Sequence, residues 1–146
     1  MKLKFLTILA ATAMAGPVLA DDHASGDAEA GEKVYGQCKA CHMIADDEGN
    51  TIVRGGRVGP NLYGVVGRTA GSVEDFRYSG LLEAAGEQGL AWDQESFVGY
   101  VQDPTGWLKE YTGDNGRGKM SYRVRKEDDA VNVWAYLASV GPDDAM

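Results

Sequence analysis

Apolar positions along this chain fall into short helical runs separated by glycine-rich polar stretches, and that alternation predicts several helices joined by long loops. The first helix is expected over residues 28–40, where Val34 and Cys38 share one face and Gly31 and Tyr35 form a neighbouring stripe. A glycine inside a helix costs about 1 kcal/mol against alanine, so Gly31 is read as a place where another helix backbone comes close. Glycine pairs and Gly-Pro steps then punctuate residues 46–67, which read as one long ordered loop, and a loop of that length is uncommon unless functional. A short helix is expected over 80–85. Asp93 looks like the N-cap of a helix over 94–102, and Asp103-Pro104 restarts the chain as cap and first-turn proline through to about 110. Residues 113–121 return to loop. The last helix, over 127–139, sets Ala130, Trp134, Leu137 and Ala138 on one face with Val133 beside them, and Gly141-Pro142 ends it. Nothing repeats, and no segment alternates as a strand should.

The two ends differ from the body. Residues 1–20 read as a cleavable secretory leader: Lys2 and Lys4 precede an apolar run from Phe5 to Ala15, and Val18-Leu19-Ala20 supplies a small residue before the cut. That run is 11 residues long, well short of the roughly 20 needed to span a bilayer, and Gly16-Pro17 interrupts it. Residues 21–30 are acidic and read as a flexible tail, residues 31–141 as one domain, and residues 142–146 as a C-terminal tail. An exported, periplasmic protein is the expectation.

Export changes the meaning of the two cysteines. Cys38-Lys39-Ala40-Cys41-His42 is the Cys-x-x-Cys-His pattern of a c-type haem attachment site. Both sulfurs share a face and can reach the two vinyl groups of one porphyrin, while the adjacent imidazole turns onto the iron. The competing chemistries fit less well. A thioredoxin-like pair expects a strand before the motif and a helix opening at the first cysteine, whereas here a helix already runs into it. A zinc site needs four N or S donors, and beyond the leader only Cys38, Cys41, His42 and the remote His23 are on offer. A Cys38 to Cys41 disulfide would close a small strained loop and leave His42 without a role. One covalent haem c, with Cys38 and Cys41 as attachment points and His42 as proximal iron ligand, is therefore expected. Glycine, at 20 of 146 residues, is about twice the usual share of roughly 7%, which suits loops wrapped round a cofactor.

Haem iron takes a second axial ligand or leaves that position open. Met1 and Met14 belong to the leader, Met43 is tied to His42 on the proximal side, and Met146 is the last residue. Met120 remains, in the glycine-flanked stretch Gly116-Arg117-Gly118-Lys119-Met120, with His23 as the alternative ligand and ordinary core packing as the alternative role. The choice decides the chemistry. A thioether favours ferrous iron, and filling both axial sites leaves only electron transfer, whereas an open site would suit a small haem peroxidase or the haem domain of an oxidoreductase. No spare histidine beyond His23 is present to act as a distal acid or base, so no enzyme is expected.

Charge adds a direction to the picture. The chain holds 14 basic and 22 acidic side chains, a net −8, and the leader accounts for two of the lysines, leaving the remainder at −10. Nucleic acid is excluded as a partner by that balance. Yet Arg117, Lys119, Arg123, Arg125 and Lys126 form an acid-free window around Met120. A positive rim on a negative body would orient the protein toward acidic docking sites.

Taken together, Cys38-Lys39-Ala40-Cys41-His42, the run from Gly59-Pro60-Asn61-Leu62-Tyr63-Gly64 to Arg68, Trp92 followed by Tyr100-Val101-Gln102-Asp103-Pro104, and Lys119-Met120 resemble the class I cytochromes c, most closely the bacterial cytochrome c2 group, over about residues 31–140. The resemblance implies an all-α fold with crossed N- and C-terminal helices and loops wrapped round one covalent haem, which would bring Tyr35 near Trp134 or Tyr136. It implies a soluble, monomeric electron carrier with Met120 as distal ligand. A membrane quinol–cytochrome c oxidoreductase would be the donor, and a terminal oxidase, reaction centre or other periplasmic redox enzyme the acceptor. Pro60 is implied as carbonyl acceptor for the His42 ring proton, a bond that would fix the tautomer. Arg68, Tyr78 and Trp92 are implied near the haem propionates and Tyr100 near the methionine sulfur, while Tyr63, Trp107 and Trp134 read as core. Two departures stand out: Gly118 replaces a frequent threonine, and residues 46–56 read as an insertion.

Overall fold

Helices and their caps set the frame of the computed structural model, which describes residues 24–143. The expected leader, His23 and Met146 lie outside the described residues. Helix α1, Ala28–Tyr35, is opened by the Asp27 carboxylate, which accepts from the backbone N–H groups of Glu29 and Ala30 at 2.9 and 3.0 Å. Part of the segment expected as a flexible tail is thus structured: Asp27 caps the helix and Ala28 to Ala30 form its first turn. Helices α2 (Gly80–Glu87), α3 (Gln94–Gln102), α4 (Pro104–Thr112) and α5 (Glu127–Ser139) follow.

The expected caps act as the sequence implied. Asp93 and Ser96 close a reciprocal capping box on α3. Asp103 ends α3 and caps α4, with Pro104 in the first turn, where its missing N–H costs nothing. Glu127, Asp128 and Asp129 sit at the positive end of the α5 dipole.

The helix pair α1 and α5 forms the centre of the body. Gly31 faces α5 so closely that a methyl group there would overlap the Asn132 carbonyl, which is the close backbone approach its position in a helix suggested. The Asn132 side chain accepts from the Asp27 N–H at 2.8 Å, tying the two helices at the same level. Tyr35 lies against Tyr136 with ring centroids 5.5 Å apart, and Trp134 reaches the other way to Phe97 of α3 at 5.1 Å. These rings, with Leu108, Val133 and Leu137, are buried in one continuous apolar core.

Two further expectations need correction. The first helix stops at Tyr35 instead of continuing to residue 40: Gly36 caps it, and Cys38–Ala40 form a tighter 3-10 turn. The Cys38 carbonyl accepts from both the Cys41 and His42 N–H groups, at 3.1 and 3.0 Å. Residues three apart eclipse in a 3-10 turn, so this change brings Cys38 and Cys41 to one side more directly than an α-helix does. The segment expected to be strandless carries a small antiparallel hairpin, β1 (Ile44–Ala45) with β2 (Thr51–Val53). Its turn is built on Asp46, whose carboxylate accepts from the N–H groups of Glu48 and Asn50 at 3.0 and 2.8 Å. Strands of two and three residues with an irregular register are too short to show alternation.

Gly31→Ala is expected to destabilise the protein by about 1–3 kcal/mol, because the methyl group must push α1 off α5. Gly80→Ala, where nothing lies within 4 Å, is expected to raise stability by about 0.4–1 kcal/mol by restricting the unfolded chain. Urea denaturation of both variants checks the contrast. Similar effects of the two substitutions would contradict the packing described.

Candidate functional site

The 3-10 turn at Cys38–Ala40 opens onto a cavity of about 380 Å³ enclosed by four separate parts of the chain. Cys38, Cys41 and His42 come from the turn itself, Gly59 and Pro60 from the glycine-rich loop, Arg68, Tyr78, Trp92 and Tyr100 from the middle of the chain, and Lys119 and Met120 from the loop before α5. Every described residue singled out from sequence as a site candidate therefore borders one space.

Packing behind the turn explains the glycines. Side chains at Gly55 and Gly56 would overlap the carbonyls of His42 and Ala40, and one at Gly59 would fall on the His42 ring. The loop is fastened there by bonds from the Gly56 N–H to the Lys39 carbonyl at 2.9 Å and from the Gly59 N–H to the Cys41 carbonyl at 2.8 Å. Such a close approach delivers the Pro60 carbonyl to 2.8 Å from His42 Nδ1. A carbonyl only accepts, so Nδ1 carries the proton and Nε2 keeps its lone pair. Burial, with a smaller contribution from the Arg68 charge, lowers the imidazole pKa against the opposing effect of the Pro60 bond. The ring is neutral near pH 7, the state in which it can donate to a metal. Tyr35 adds a further tie, its hydroxyl donating to the His42 carbonyl at 3.4 Å, and burial holds that phenol well above its ordinary pKa.

The two thiols are free, Cys41 exposed and Cys38 half-buried. Burial, and then the neighbouring Cys41, push the Cys38 thiol up to about 11. A disulfide-exchange pair needs a lowered thiol pKa, so the shift runs against thioredoxin-like chemistry. Among the described residues no group of three or more His, Cys, Asp or Glu side chains is placed to hold a metal ion.

Met120 sits on a loop clamped to α3 and α4. The Gly118 N–H donates to the Thr105 hydroxyl at 3.1 Å, the Val124 N–H to the Val101 carbonyl at 2.9 Å, and the Lys119 ammonium to the Arg77 carbonyl at 2.6 Å. Arg123 pairs with Asp103 at 2.7 Å. Gly118, which stands where the resembling family often has threonine, is held by its backbone N–H on the Thr105 hydroxyl. Arg68, half-buried, donates to the Tyr63 carbonyl at 2.9 Å, and Tyr78 accepts from the Val73 N–H at 3.2 Å. Tyr100 is buried enough that its phenol is pushed up to about 12, so it remains a neutral hydroxyl on the cavity wall.

Sequence reasoning missed several wall residues. Phe76 and Leu82 line the interior, and Val58 and Tyr122 stand at its edge, 80% and 43% exposed. Val58 follows Arg57 in a segment that reads as plain loop, and only its proximity to the cavity gives it meaning. The donor set fits a porphyrin: two thiols at one margin, a neutral imidazole and a thioether on the walls, and an apolar interior bordered by a cation and phenols.

No family model matches the chain. Individual relatives do. Cytochrome c2 of Rhodovulum adriaticum is 58% identical over 119 residues, covering 80% of this chain and 94% of that one. Cytochrome c2 of Cereibacter sphaeroides is 55% identical over 142 residues, 95% of each chain. Cytochrome c-550 of Paracoccus denitrificans is 44% identical over 146 residues, covering 98% of this chain and 91% of that one. Among solved structures, cytochrome c2 from Rhodobacter sphaeroides superposes with a TM-score of 0.78 at 57% identity, over 80% of this chain and 98% of the other.

Gly59→Ala is expected to displace the His42 imidazole and weaken its bond to Pro60, costing about 1–3 kcal/mol. Denaturation together with the proton resonance of the ring N–H tests this, and an unmoved resonance would contradict it. Tyr100 gives a pH dependence. Its folded pKa lies above the unfolded value of 10.0, so its contribution is complete below pH 10 and is lost as pH rises toward about 12. Stability should fall across that window by at most roughly 1 kcal/mol per pH unit from this group alone, and Tyr100→Phe should remove that part of the slope.

Proposed function

The chain belongs to the class I cytochromes c, in the cytochrome c2 group, and from that premise we propose that it is a soluble periplasmic one-electron carrier whose single haem c is held by Cys38 and Cys41 through thioether bonds and by His42 and Met120 as axial ligands. Membership of the family makes it an electron carrier with one covalently bound c-type haem, and not an enzyme. The assignment of the four residues rests on the cavity, and above all on the Pro60 carbonyl at 2.8 Å from His42 Nδ1, which leaves Nε2 as the donor.

The haem supplies a metal centre that gains and loses one electron between the ferrous and ferric states. The polypeptide determines what else that centre can do. His42 is kept neutral and oriented by Pro60, and a neutral imidazole is the stronger donor. Met120, a soft donor on a loop fastened at both ends, would favour the ferrous state and close the position that peroxide or oxygen would need. Arg68, held by Tyr63, places a positive charge on the cavity wall where a propionate could be neutralised.

Docking follows from the surface. Arg117, Lys119, Arg125 and Lys126 are exposed around the Met120 loop, while Arg123 shares its charge with Asp103. Tyr122 and Val58 provide apolar contact at the cavity edge. Such a face suits acidic sites on membrane complexes, with a quinol–cytochrome c oxidoreductase as donor and a terminal oxidase or photosynthetic reaction centre as acceptor. No helix among the described residues is long and apolar enough to cross a membrane. The leader over 1–20 would be removed on export, leaving residues 21–146 with the cytochrome domain.

Replacement of Met120 tests the reading. Reduced wild-type protein is expected to resist carbon monoxide at neutral pH, and Met120→Ala to bind it rapidly, as followed by the optical spectrum. Rapid binding by the wild type would overturn the ligand assignment. Cys38→Ser with Cys41→Ser should release the haem to acidic organic solvent, whereas the wild type should retain it on the polypeptide. Transfer to an acidic partner should slow as ionic strength rises past the point where the Debye length falls below about 10 Å, near 0.1 M salt.

A further inference from the structure

Four aromatic rings run from the cavity wall to the protein surface. Trp92 and Tyr100 both border the cavity, with ring centroids 5.0 Å apart. Trp107 of α4 lies 6.3 Å from each of them. One turn further along α4, Tyr111 stacks on Trp107 at 5.2 Å with the planes 19° apart. Tyr111 is 39% exposed and, unlike Val58 and Tyr122, does not border the cavity. Gly99 makes the middle of the row possible, since a methyl group there would overlap the Trp107 indole nitrogen.

Every spacing is within the range of direct aromatic contact. Tryptophan and tyrosine are also the side chains that most readily lose a single electron to a strong radical oxidant, and no phenylalanine interrupts the row. Tunnelling falls off exponentially with distance, so several contact-length steps outrun one long step. We propose that Trp92, Tyr100, Trp107 and Tyr111 form an electron conduit by which the reduced haem repairs oxidative damage arriving at Tyr111.

The electron balance is simple. A one-electron surface oxidant of the oxyl-radical class, such as the carbonate radical anion, takes an electron from Tyr111 and becomes carbonate, and the phenol proton passes to water. An electron then moves outward through the cavity rings and Trp107 to Tyr111, which regains a proton from water. The ferrous haem supplies that electron and becomes ferric. Net transfer is one electron from haem to oxidant, with tyrosine unchanged. An exposed terminal phenol suits this sequence, because its proton can leave and return without crossing the core.

The inference rests on the haem placed by Cys38, Cys41 and His42, and not on the ligation of Met120. Haem-loaded protein, prepared in ferrous and in ferric form and checked first for its thioether-linked chromophore, would be exposed to carbonate radical generated in bicarbonate solution. Haem oxidation is followed optically, and dityrosine and oxidised products at Tyr111 and Tyr122 are mapped by peptide mass spectrometry. Ferrous wild type should show several-fold less damage at Tyr111 than ferric wild type. Trp107→Phe keeps a ring in the stack but not an oxidisable one. It should lose that protection and slow haem oxidation, and Tyr111→Phe should slow haem oxidation likewise. Equal Tyr111 damage in the two oxidation states of the wild type overturns the conduit without any variant. Protection that persists in a folded Trp107→Phe protein overturns it too. A missing chromophore would instead overturn the functional reading, and the conduit with it.

Discussion

The bond between the His42 ring and the Pro60 carbonyl is the constraint on which the site depends, and it exists only because two backbone segments touch. Gly55, Gly56 and Gly59 have no side chains to hold the loop away from the Cys38–His42 turn, and each lies where a methyl group would meet the turn's carbonyls or the imidazole. The cost of three flexible glycines in the unfolded chain is offset by this contact. Without it the imidazole could choose either tautomer and rotate, and its second nitrogen would have no fixed aim.

The turn is in turn fixed by the helix that precedes it. Helix α1 cannot slide along α5, because the Gly31 contact with Asn132 and the bond from the Asp27 N–H to the Asn132 side chain set both depth and level. Tyr35, the last residue of α1, sits against Tyr136 and donates to the His42 carbonyl, so the end of the helix and His42 are joined through one buried phenol. Helices α3 and α4 do the corresponding service for Met120. Asp103 caps α4, accepting from the Gly106 N–H, and pairs with Arg123, while Thr105 holds Gly118. His42 and Met120, both bordering the cavity, are thus referred to different helices of one packed frame.

Much of this frame is legible in the residues, because caps and motifs are local. Asp93, Asp103-Pro104 and Gly141 mark helix ends within a residue or so, and Cys38-x-x-Cys41-His42 names a cofactor by spacing alone. What escapes is non-local or marginal. Gly36 carries only a weak stop signal, so the end of α1 at Tyr35 is decided by how the turn must fold under the loop. The hairpin between Ile44 and Val53 has too few residues for alternation to register. The ties from Gly118 to Thr105, from Lys119 to Arg77 and from Tyr122 to Gln37 join residues 13, 42 and 85 positions apart, and no pattern in the chain announces them. Trp107 reads as ordinary core, and its stacking between the cavity rings and Tyr111 emerges only from the three-dimensional arrangement.

Carrying single electrons rewards surroundings that barely move when the charge at the centre changes. Groups already oriented need no reorganisation at the moment of transfer, which is the advantage of preorganised dipoles in any polar site. Here the ties to the proposed axial residues run largely through backbone: a proline carbonyl on His42, a peptide N–H anchoring Gly118, and another joining Val124 to Val101. Backbone groups inside packed segments have fewer alternatives than long side chains. The cations Arg117, Arg125 and Lys126 are kept to the exposed surface, where a partner can be met and released. Fixed groups near the centre and reachable charges at the surface are separate requirements of the same task, and the chain divides them between its backbone-fastened segments and its exposed cationic side chains.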